Sequence, residues 1–265
     1  MKDKLDIFIC TNKDFEPCPT NKAYKIVSTE NFETKSGLEH IICDPNNDKL
    51  LCKEHAYSEL ARFHYIAKNY PLKDYVGTAH YRRYFEFFNN IPDLDEIFKT
   101  HDAILPHGLS LKIFDTNSVY AQYAQNHNAK DIDLIVKIIN LYYPEYFHSA
   151  LEVLSGELFY PCNIFVMKKE MFVDWCNFVF GVLNIFDVIN NFSDDNDILR
   201  HVEKNISDYH NSNTEYQSRI EAFLSERLST IFMVKNIKNP YLQDIILTES
   251  HYDFEKVMFT YNPQP

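Results

Sequence analysis

The chain has 265 residues, of which 45% are hydrophobic, and a formal net charge of −12 at pH 7. That length suits one large α/β domain with a substantial core, and the composition excludes a disordered chain. The negative charge argues against nucleic acid as a partner, so any anionic ligand must be met by a local basic cluster.

Six cysteines occur without a Cys-x-x-Cys pair. This pattern indicates buried thiols in a reducing cytosol rather than zinc ligands or disulfides. The N-terminal residues lack the apolar core of a signal peptide, so we expect a cytoplasmic protein. The longest apolar segment, residues 172–189, is interrupted by Asp and Asn and is predicted to be a buried helix rather than a membrane span. The alternative is a cytoplasmic protein that associates peripherally with the inner face of the membrane.

The first predicted elements are apolar strands at residues 5–10 and 24–28. Thr11 and Lys13 follow the first strand, at the end where open α/β sheets bind ligands. A turn-rich acidic loop containing Asp44 comes next. Apolar residues at helical spacing then predict a helix over residues 53–69, which leads into a strand beginning at Tyr75.

The strand that begins at Tyr75 ends in an unusual way. It reaches His80, Arg82 and Arg83 among three aromatic residues, without the Gly, Pro, Asn or Asp that commonly releases a buried strand. Two adjacent guanidinium groups suit a phosphate or pyrophosphate with a flat base or sugar nearby. The alternative is a half-buried edge strand whose arginines pair with carboxylates of the protein.

The remaining elements are mostly helices. Short elements are predicted at residues 92–99 (helix) and 102–105 (strand), and a strand at 158–167 precedes a long helix at 169–189. Residues 193–197 are predicted to be an acidic loop, and the last thirty residues are not assigned. Further helices are predicted at residues 118–127, 132–142, 144–154 and 214–234. Strands alternating with helices, followed by helices, predict a three-layer α/β/α domain of Rossmann type with a helical C-terminal portion.

Known nucleotide-binding motifs such as G-x-G-x-x-G and the P-loop are absent from the sequence. Three Asp-x-Asp triplets occur, at residues 93–95, 131–133 and 195–197. Such a triplet could hold a divalent ion against a diphosphate, but the first two are predicted to lie in helix N-terminal turns, where Asp is favoured by capping. Four carboxylates could act as a base toward an acceptor hydroxyl, and the sequence does not choose among them: Glu157, Asp195, Asp197 and Glu226.

Several segments together resemble one protein family. The strongest is His-Tyr-Arg-Arg-Tyr-Phe at residues 80–85. Tyr-Ser-Glu-Leu at 57–60, the Asn-containing strand at 163–169 and the helix at 217–228 occur in the same order. The chain therefore resembles bacterial capsular and exopolysaccharide glycosyltransferases long grouped as a domain of unknown function. It departs from their pattern at His64, Ala67 and Ala222, where tryptophans and a glycine are more usual.

The resemblance implies a GT-A-like fold over residues 1–265, with a nucleotide-binding half at 1–110 and a mostly helical acceptor half at 111–265. It implies transfer of a sugar from a nucleotide-sugar donor, a UDP-sugar in our interpretation, to a capsule, lipopolysaccharide or related glycan, free or lipid-linked. Two rivals are a non-catalytic binding protein of polysaccharide assembly and a transferase of phosphate groups. A second resemblance, of Asn163 and residues 195–199 to retaining hexosyltransferases, bears on the stereochemical outcome.

The resemblance also implies roles for particular residues. Where related folds place a metal-binding Asp-x-Asp, this chain has Arg82 and Arg83, so we expect these arginines to supply part of the charge of a metal, although Mn²⁺ or Mg²⁺ remains possible. No metal ligands are therefore assigned. The predicted site residues are Thr11, Lys13, Asp44, His80, Arg82 and Arg83 for the nucleotide and diphosphate, Arg83, Asp195, Asp197 and Glu226 for catalysis, and Asn163 and Arg219 for the acceptor.

Overall fold

The computed structural model describes residues 4–15, 19–109, 111–210 and 212–247. Within these residues nine strands form one sheet, in the order β3-β2-β1-β4-β7-β6-β8, with β5 paired to β4 and β9 paired to β5. The strands are β1 (Leu5–Cys10), β2 (Tyr24–Ser28), β3 (Glu39–Ile42), β4 (Tyr75–His80), β5 (Arg83–Phe85), β6 (Ala103–Pro106), β7 (Phe165–Lys168), β8 (Pro240–Gln243) and β9 (Ile245–Leu247).

The pairing of the strands determines which strand ends lie side by side at one edge of the sheet. Strand β1 is parallel to β2 and β4, with Cys10 opposite both Val27 and His80. Strand β7 runs antiparallel between β4 and β6. The start of β7, next to Asn163, therefore lies at the same edge of the sheet as the ends of β1 and β4. The sheet therefore contains strands from both predicted halves of the chain, residues 1–110 and 111–265.

Most of the second half of the chain is helical, as predicted. The described α-helices are α1 (Glu54–Tyr57), α2 (Glu59–Asn69), α3 (Leu94–Ile97), α4 (Val119–Asn126), α5 (Ala129–Tyr142), α6 (Pro144–Ser155), α7 (Lys169–Asn190), α8 (Asp195–Lys204), α9 (Thr214–Gln217) and α10 (Ile220–Asn236). Short 3₁₀ helices occur at Lys49–Lys53, Leu111–Phe114 and Ile206–Asp208. The structure confirms the predicted α/β class with a parallel-dominated sheet and a helical C-terminal portion.

Three predicted elements differ from the observed ones because of local backbone geometry. The helix predicted over 53–69 is interrupted at Ser58, which has φ 53°. The helix predicted over 214–234 is divided at Ser218 and Arg219. The strand predicted over 158–167 begins only at Phe165, because Cys162 and Asn163 have φ values of 66° and 50°. The positive φ values of Ser58, Cys162 and Asn163 interrupt the helix and the strand, whereas Ser218 and Arg219 have φ values of −71° and −88°.

The two faces of the sheet are covered unequally. One face packs against the long helices, and the fully buried Trp175 of α7 lies in this core, where its Nε1 donates to Ser229 Oγ at 3.0 Å. Helix α7 is long and apolar enough to cross a membrane by length and composition, with half of its most apolar window buried. It packs against α5, α10 and β7. The core helix of a domain that is packed in this way can meet the same criteria of length and composition. The other face is covered by α3, β5 and loop residues such as Phe15.

Five described cysteines are free thiols, and Cys18 lies outside the described residues. Burial raises the pKa of the Cys10 and Cys176 thiols well above the ordinary value. These two thiols are therefore protonated and unreactive at neutral pH. Cys10, Cys43 and Cys176 are buried as predicted, whereas Cys52 is exposed and Cys162 is partly buried, so the prediction was wrong for those two.

Gly77 lies at the centre of the sheet, where β1 and β7 approach β4 from either side. A Cβ at this position would lie 2.9 Å from Ile7 Cγ1 and 3.1 Å from Val166 Cγ2. We expect Gly77→Ala to lower the free energy of unfolding by about 1–3 kcal/mol, because overpacking forces both neighbours to move. Chemical denaturation of the variant measures this loss. Combining it with Ile7→Ala should give less than the sum of the two losses, and strict additivity would contradict the proposed clash.

Candidate functional site

A cleft opens at the edge of the sheet where β1 and β4 end. Because these neighbouring strands are parallel, the residues that follow Cys10 and His80 leave the sheet side by side. Helices α1 and α2 and the start of α10 form the opposite wall. The cleft has a volume of about 390 Å³. Its lining residues are Cys10, Thr11, Asn12, Lys13, Ser58, Glu59, Arg62, His80, Tyr81, Arg82 and Arg219.

His80 lies among the arginines of the cleft as a neutral side chain. Its Nδ1 accepts the backbone N–H of Arg82 and the Nη1–H of Arg83, each at 3.2 Å. Burial, followed by the charges of Arg83, Arg82 and Arg219, lowers the pKa of His80 to about 3. Since Nδ1 accepts these hydrogen bonds, we assign the ring proton to Nε2. His80 can therefore donate a hydrogen bond to an anionic oxygen without itself carrying charge.

Tyr81 separates the cations at the two strand ends. Its ring lies 5.3 Å from Lys13 Nζ and 5.0 Å from Arg82 Cζ, measured to the ring centroid. The ring also packs on His80, with centroids 4.3 Å apart. Contacts of cations with an aromatic face are attractive, so Tyr81 helps to hold Lys13 and Arg82 near each other. Thr11, which is buried, orders the same loop by hydrogen bonding to Lys13 through its hydroxyl.

The helical wall adds two more guanidinium groups. Arg219 donates from Nη2 to Ser58 Oγ at 3.0 Å, across the gap between α10 and the α1–α2 junction. Arg62 pairs with Glu54, whose carboxylate also accepts Asn12 Nδ2–H at 2.9 Å. The cleft is therefore positively charged on both walls, although the whole chain carries a net charge of −12.

Two carboxylates, Glu59 and Glu226, lie beside this positive charge. Glu226 Oε1 accepts the backbone N–H of Cys162 at 2.8 Å, and its other oxygen pairs with Arg227 at 3.0 Å. Burial raises the pKa of Glu226, while Arg227, the Cys162 N–H and the nearby Arg83 hold that rise down. A partly buried carboxyl with a raised pKa beside a positively charged cleft is suited to proton transfer.

The structure places Asp195 and Asp197 at the beginning of α8, so the predicted acidic loop is a helix N-terminus. Asp195 accepts the backbone N–H groups of His55 and Ala56 and so caps α1. Asp197 accepts the Ser193 N–H and pairs with Arg200. Within the described residues no group of three or more His, Cys, Asp and Glu side chains could hold a metal ion. Asp195 thus caps α1, Asp197 binds the turn before α8 and Arg200, and neither lines the cleft. Their catalytic role stays a prediction.

Two other predicted residues, Asp44 and Asn163, also lie outside the cleft, and Arg83 and Glu226 lie next to it without lining it. Asp44 accepts hydrogen bonds from Asn46 and Asn47 in the turn after β3 and does not line the cleft. Asn163 is fully buried; its amide donates to Glu59 and Ser225 and accepts from the Ser229 hydroxyl. Asn163 is therefore placed to position Glu59 rather than to touch an acceptor. By contrast, Thr11, Lys13, His80, Arg82 and Arg219 come together as lining residues.

The sequence reasoning missed Asn12, Ser58, Glu59 and Arg62 as site residues. The last three lie at or just after the break between α1 and α2, within a stretch interpreted as one continuous helix. The available signal was the Tyr-Ser-Glu-Leu segment at residues 57–60, which was identified for its family resemblance but given no role. Glu59 and Arg62 are three residues apart in α2, so they share one helix face, and that face meets the cleft.

Comparison with solved structures identifies the class of fold. The chain superimposes on the apo structure of WbbM, described as a bifunctional glycosyltransferase, with a TM-score of 0.70 and 18% sequence identity. The match covers 99% of this chain and 47% of that one, so this chain spans about half the length of WbbM. The α/β fold is therefore similar to that of a glycosyltransferase, as expected from the sequence.

Residues 6–197 match the family described as Domain of unknown function (DUF4422), and the chain belongs to this family. No curated protein sequence matches the chain.

Proposed function

We propose that this protein is a nucleotide-sugar-dependent glycosyltransferase, which moves a sugar from a UDP-sugar to a hydroxyl of a growing capsule, lipopolysaccharide or related glycan in the cytoplasm. One observation carries the proposal. Lys13, Arg62, Arg82 and Arg219 line a single cleft at the ends of β1 and β4, with Arg83 against His80 and the carboxyl of Glu226 nearby. The similarity of the fold to that of a glycosyltransferase supports the same reaction class.

The positive charge of the cleft fits the leaving group of this reaction. When the glycosidic bond to the diphosphate breaks, negative charge develops on the phosphate oxygens, and fixed guanidinium groups stabilise that charge in the transition state. The hydrogen-bond donors proposed for this charge are Arg82, Arg219 and the neutral Nε2–H of His80. Thr11 and Lys13, at the end of β1, would hold the nucleotide.

The same charges bear on the need for a metal. The described lining of the cleft holds three arginines and a lysine against one carboxylate, Glu59, and one of the arginines, Arg62, is paired with Glu54. This excess of positive charge disfavours a divalent cation, and the Asp-x-Asp triplets lie in helix N-terminal turns. We therefore propose that Arg82 and Arg83 supply much of the charge that a Mn²⁺ or Mg²⁺ ion would bring to the diphosphate.

Glu226 is the proposed proton acceptor for the hydroxyl of the acceptor. It lies on α10 at the level of Arg83, and its raised pKa places its basicity closer to neutrality than that of an exposed carboxylate. Glu59, which contacts Asn163 and lines the cleft, is the second carboxylate within reach of a bound sugar.

Donor binding and metal dependence are tested together by thermal denaturation with UDP-, GDP-, CMP- and dTDP-linked sugars, each with Mn²⁺ or with a chelator. We expect UDP-sugars to raise the melting temperature, because a ligand that binds only the folded state stabilises it. We expect the shift, and slow hydrolysis of the donor, to persist in the chelator. An absolute requirement for Mn²⁺ would contradict the proposed role of the arginines.

The products distinguish the proposed reaction from its rivals. A glycosyltransferase releases UDP from the donor, both in slow hydrolysis and in transfer. A transferase of sugar phosphate would release UMP, because it breaks the bond between the two phosphates. A non-catalytic binding protein would show the melting shift without release of either nucleotide.

A further inference from the structure

One face of α10 carries an aromatic residue, Phe223, that the donor site does not use. Arg219, Phe223 and Glu226 follow one another at spacings of four and three residues, which places them on one side of the helix. Helix α9 ends at Gln217, so its Tyr216 is placed by contact and not by helical spacing: its ring packs against that of Phe223. Two aromatic rings therefore lie in one row with Arg219, which lines the cleft, and Glu226, which lies next to it.

The aromatic part of this row is both accessible and rigid. The side chain of Tyr216 is 40% exposed, and its ring centroid lies 5.0 Å from that of Phe223. Behind them the buried His127 stacks on Phe223 at 4.0 Å. His127 is held by Gln217 Oε1 at 2.9 Å from its Nδ1, and burial lowers its pKa to about 4, so the support is neutral and fixed.

The row is continuous with the donor cleft through Arg219. The guanidinium carbon of Arg219 lies 5.6 Å from the centroid of Phe223, while its Nη2 donates to Ser58 in the cleft wall. Beyond the same arginine a second lobe of about 570 Å³ opens, lined by Glu54, His55, Ser58, Arg62, Asp195 and Arg219. A ligand lying on the two rings would therefore have charged hydrogen-bonding groups at its edge.

We propose that Tyr216 and Phe223 form the platform on which the acceptor sugar lies. The chemistry fits an uncharged pyranose, because such a ring presents an apolar face of C–H groups to an aromatic surface and hydroxyls at its rim. Arg219 and Glu226, on either side of Phe223 along the row, are placed to bind those hydroxyls. The inference rests on the proposed glycosyl transfer and assigns the acceptor side of the same site.

The test measures binding of methyl α- and β-glycosides of glucose, galactose, mannose and N-acetylglucosamine by saturation-transfer NMR, with UDP present. Tyr216→Ala is the main variant, because an exposed ring can be removed with little effect on folding. We expect it to weaken glycoside binding by about tenfold, Tyr216→Phe to retain binding, and UDP affinity to stay unchanged. The matched control is Tyr142→Ala, a tyrosine of α5 that is 61% exposed.

Three results would overturn the platform. Glycoside binding that survives Tyr216→Ala would show that the ring is not used, and loss of UDP binding instead would show that it stacks on the base. Failure of every glycoside to bind the unmodified protein at tens of millimolar, with UDP bound, would also refute it. Failure of the glycosyltransferase proposal is separate, since it would appear as absence of UDP-sugar binding and hydrolysis in the same unmodified protein.

Discussion

Replacing Arg83 by alanine is expected to lower the rate of UDP-sugar hydrolysis by about 10²–10³-fold, the loss typical when a fixed donor to a developing negative charge is removed. Arg83 is 8% exposed, donates to His80 and lies close enough to Glu226 to hold down the pKa of that carboxyl. Its removal therefore changes the charge at the diphosphate and the basicity of the proposed proton acceptor together. Hydrolysis needs no acceptor, so the measurement is release of UDP from the donor.

The variant Arg83→Lys separates the contribution of the positive charge from that of the guanidinium geometry. Lysine keeps the positive charge but loses the planar fork that binds two oxygens at once, so we expect an intermediate rate. Arg200→Ala is the matched control, because Arg200 is exposed on α8 and pairs with Asp197 outside the cleft. Melting temperatures of all three variants show whether the fold is retained. A folded Arg83→Ala protein with the full hydrolysis rate would remove Arg83 from the proposed site.

Replacing Lys53 by methionine is expected to lower the free energy of unfolding by about 3–5 kcal/mol, the usual loss when one partner of a buried ion pair is removed. Lys53 pairs with Asp187 in the core between the α1 region and α7, where the Tyr57 hydroxyl also donates to Asp187 at 2.7 Å. Glu221, fully buried beside them, has a pKa raised well above its ordinary value by burial and by Asp187. Without Lys53, two buried acids lie together with no cation.

The loss should be larger at alkaline pH, where Glu221 of the unmodified protein begins to lose its proton, than at pH 5. Lys53 lowers the pKa of Glu221, so its removal raises that pKa further above the unfolded value, and the extra loss develops between the two folded pKa values. A carboxyl whose folded pKa is raised destabilises the fold progressively as pH rises above the unfolded pKa. The control is Lys130→Met, whose exposed pair with Asp208 should contribute about 0–1 kcal/mol at either pH. Equal losses in urea denaturation of the two variants would contradict a structural role for the buried pair.

The elements that were predicted closely are those specified by their own residues. Strands β1 and β2 occupy the predicted residues 5–10 and 24–28, and α7 ends one residue beyond its predicted end. Each is a run of apolar residues whose burial needs no special backbone conformation. The predicted helix N-terminal positions of Asp93 and Asp131 are also observed, because capping and first-turn preferences are local.

The errors occurred where distant residues determine the backbone. Ser58 adopts φ 53° at the point where Arg219, 161 residues away, donates to its hydroxyl. Cys162 and Asn163 leave the strand conformation where Glu226, Ser225 and Ser229 of α10 bind them. Strand β8 was not predicted because Pro240–Gln243 becomes a strand only by pairing with β6. Predictions from local sequence preferences do not include such long-range contacts.

The sequence by itself determined the fold class and the presence of a basic, aromatic strand end at His80, Arg82 and Arg83, because apolar periodicity and a charge cluster are local properties. Only the tertiary structure decided which carboxylate belongs to that cluster. Asp195 accepts N–H groups of α1 and Asp197 accepts the Ser193 N–H before α8, whereas the packing of α10 against the start of β7 buries Glu226 beside Arg83. Proximity and burial set the charge and the pKa of a side chain, and both arise from contacts between residues far apart in the chain.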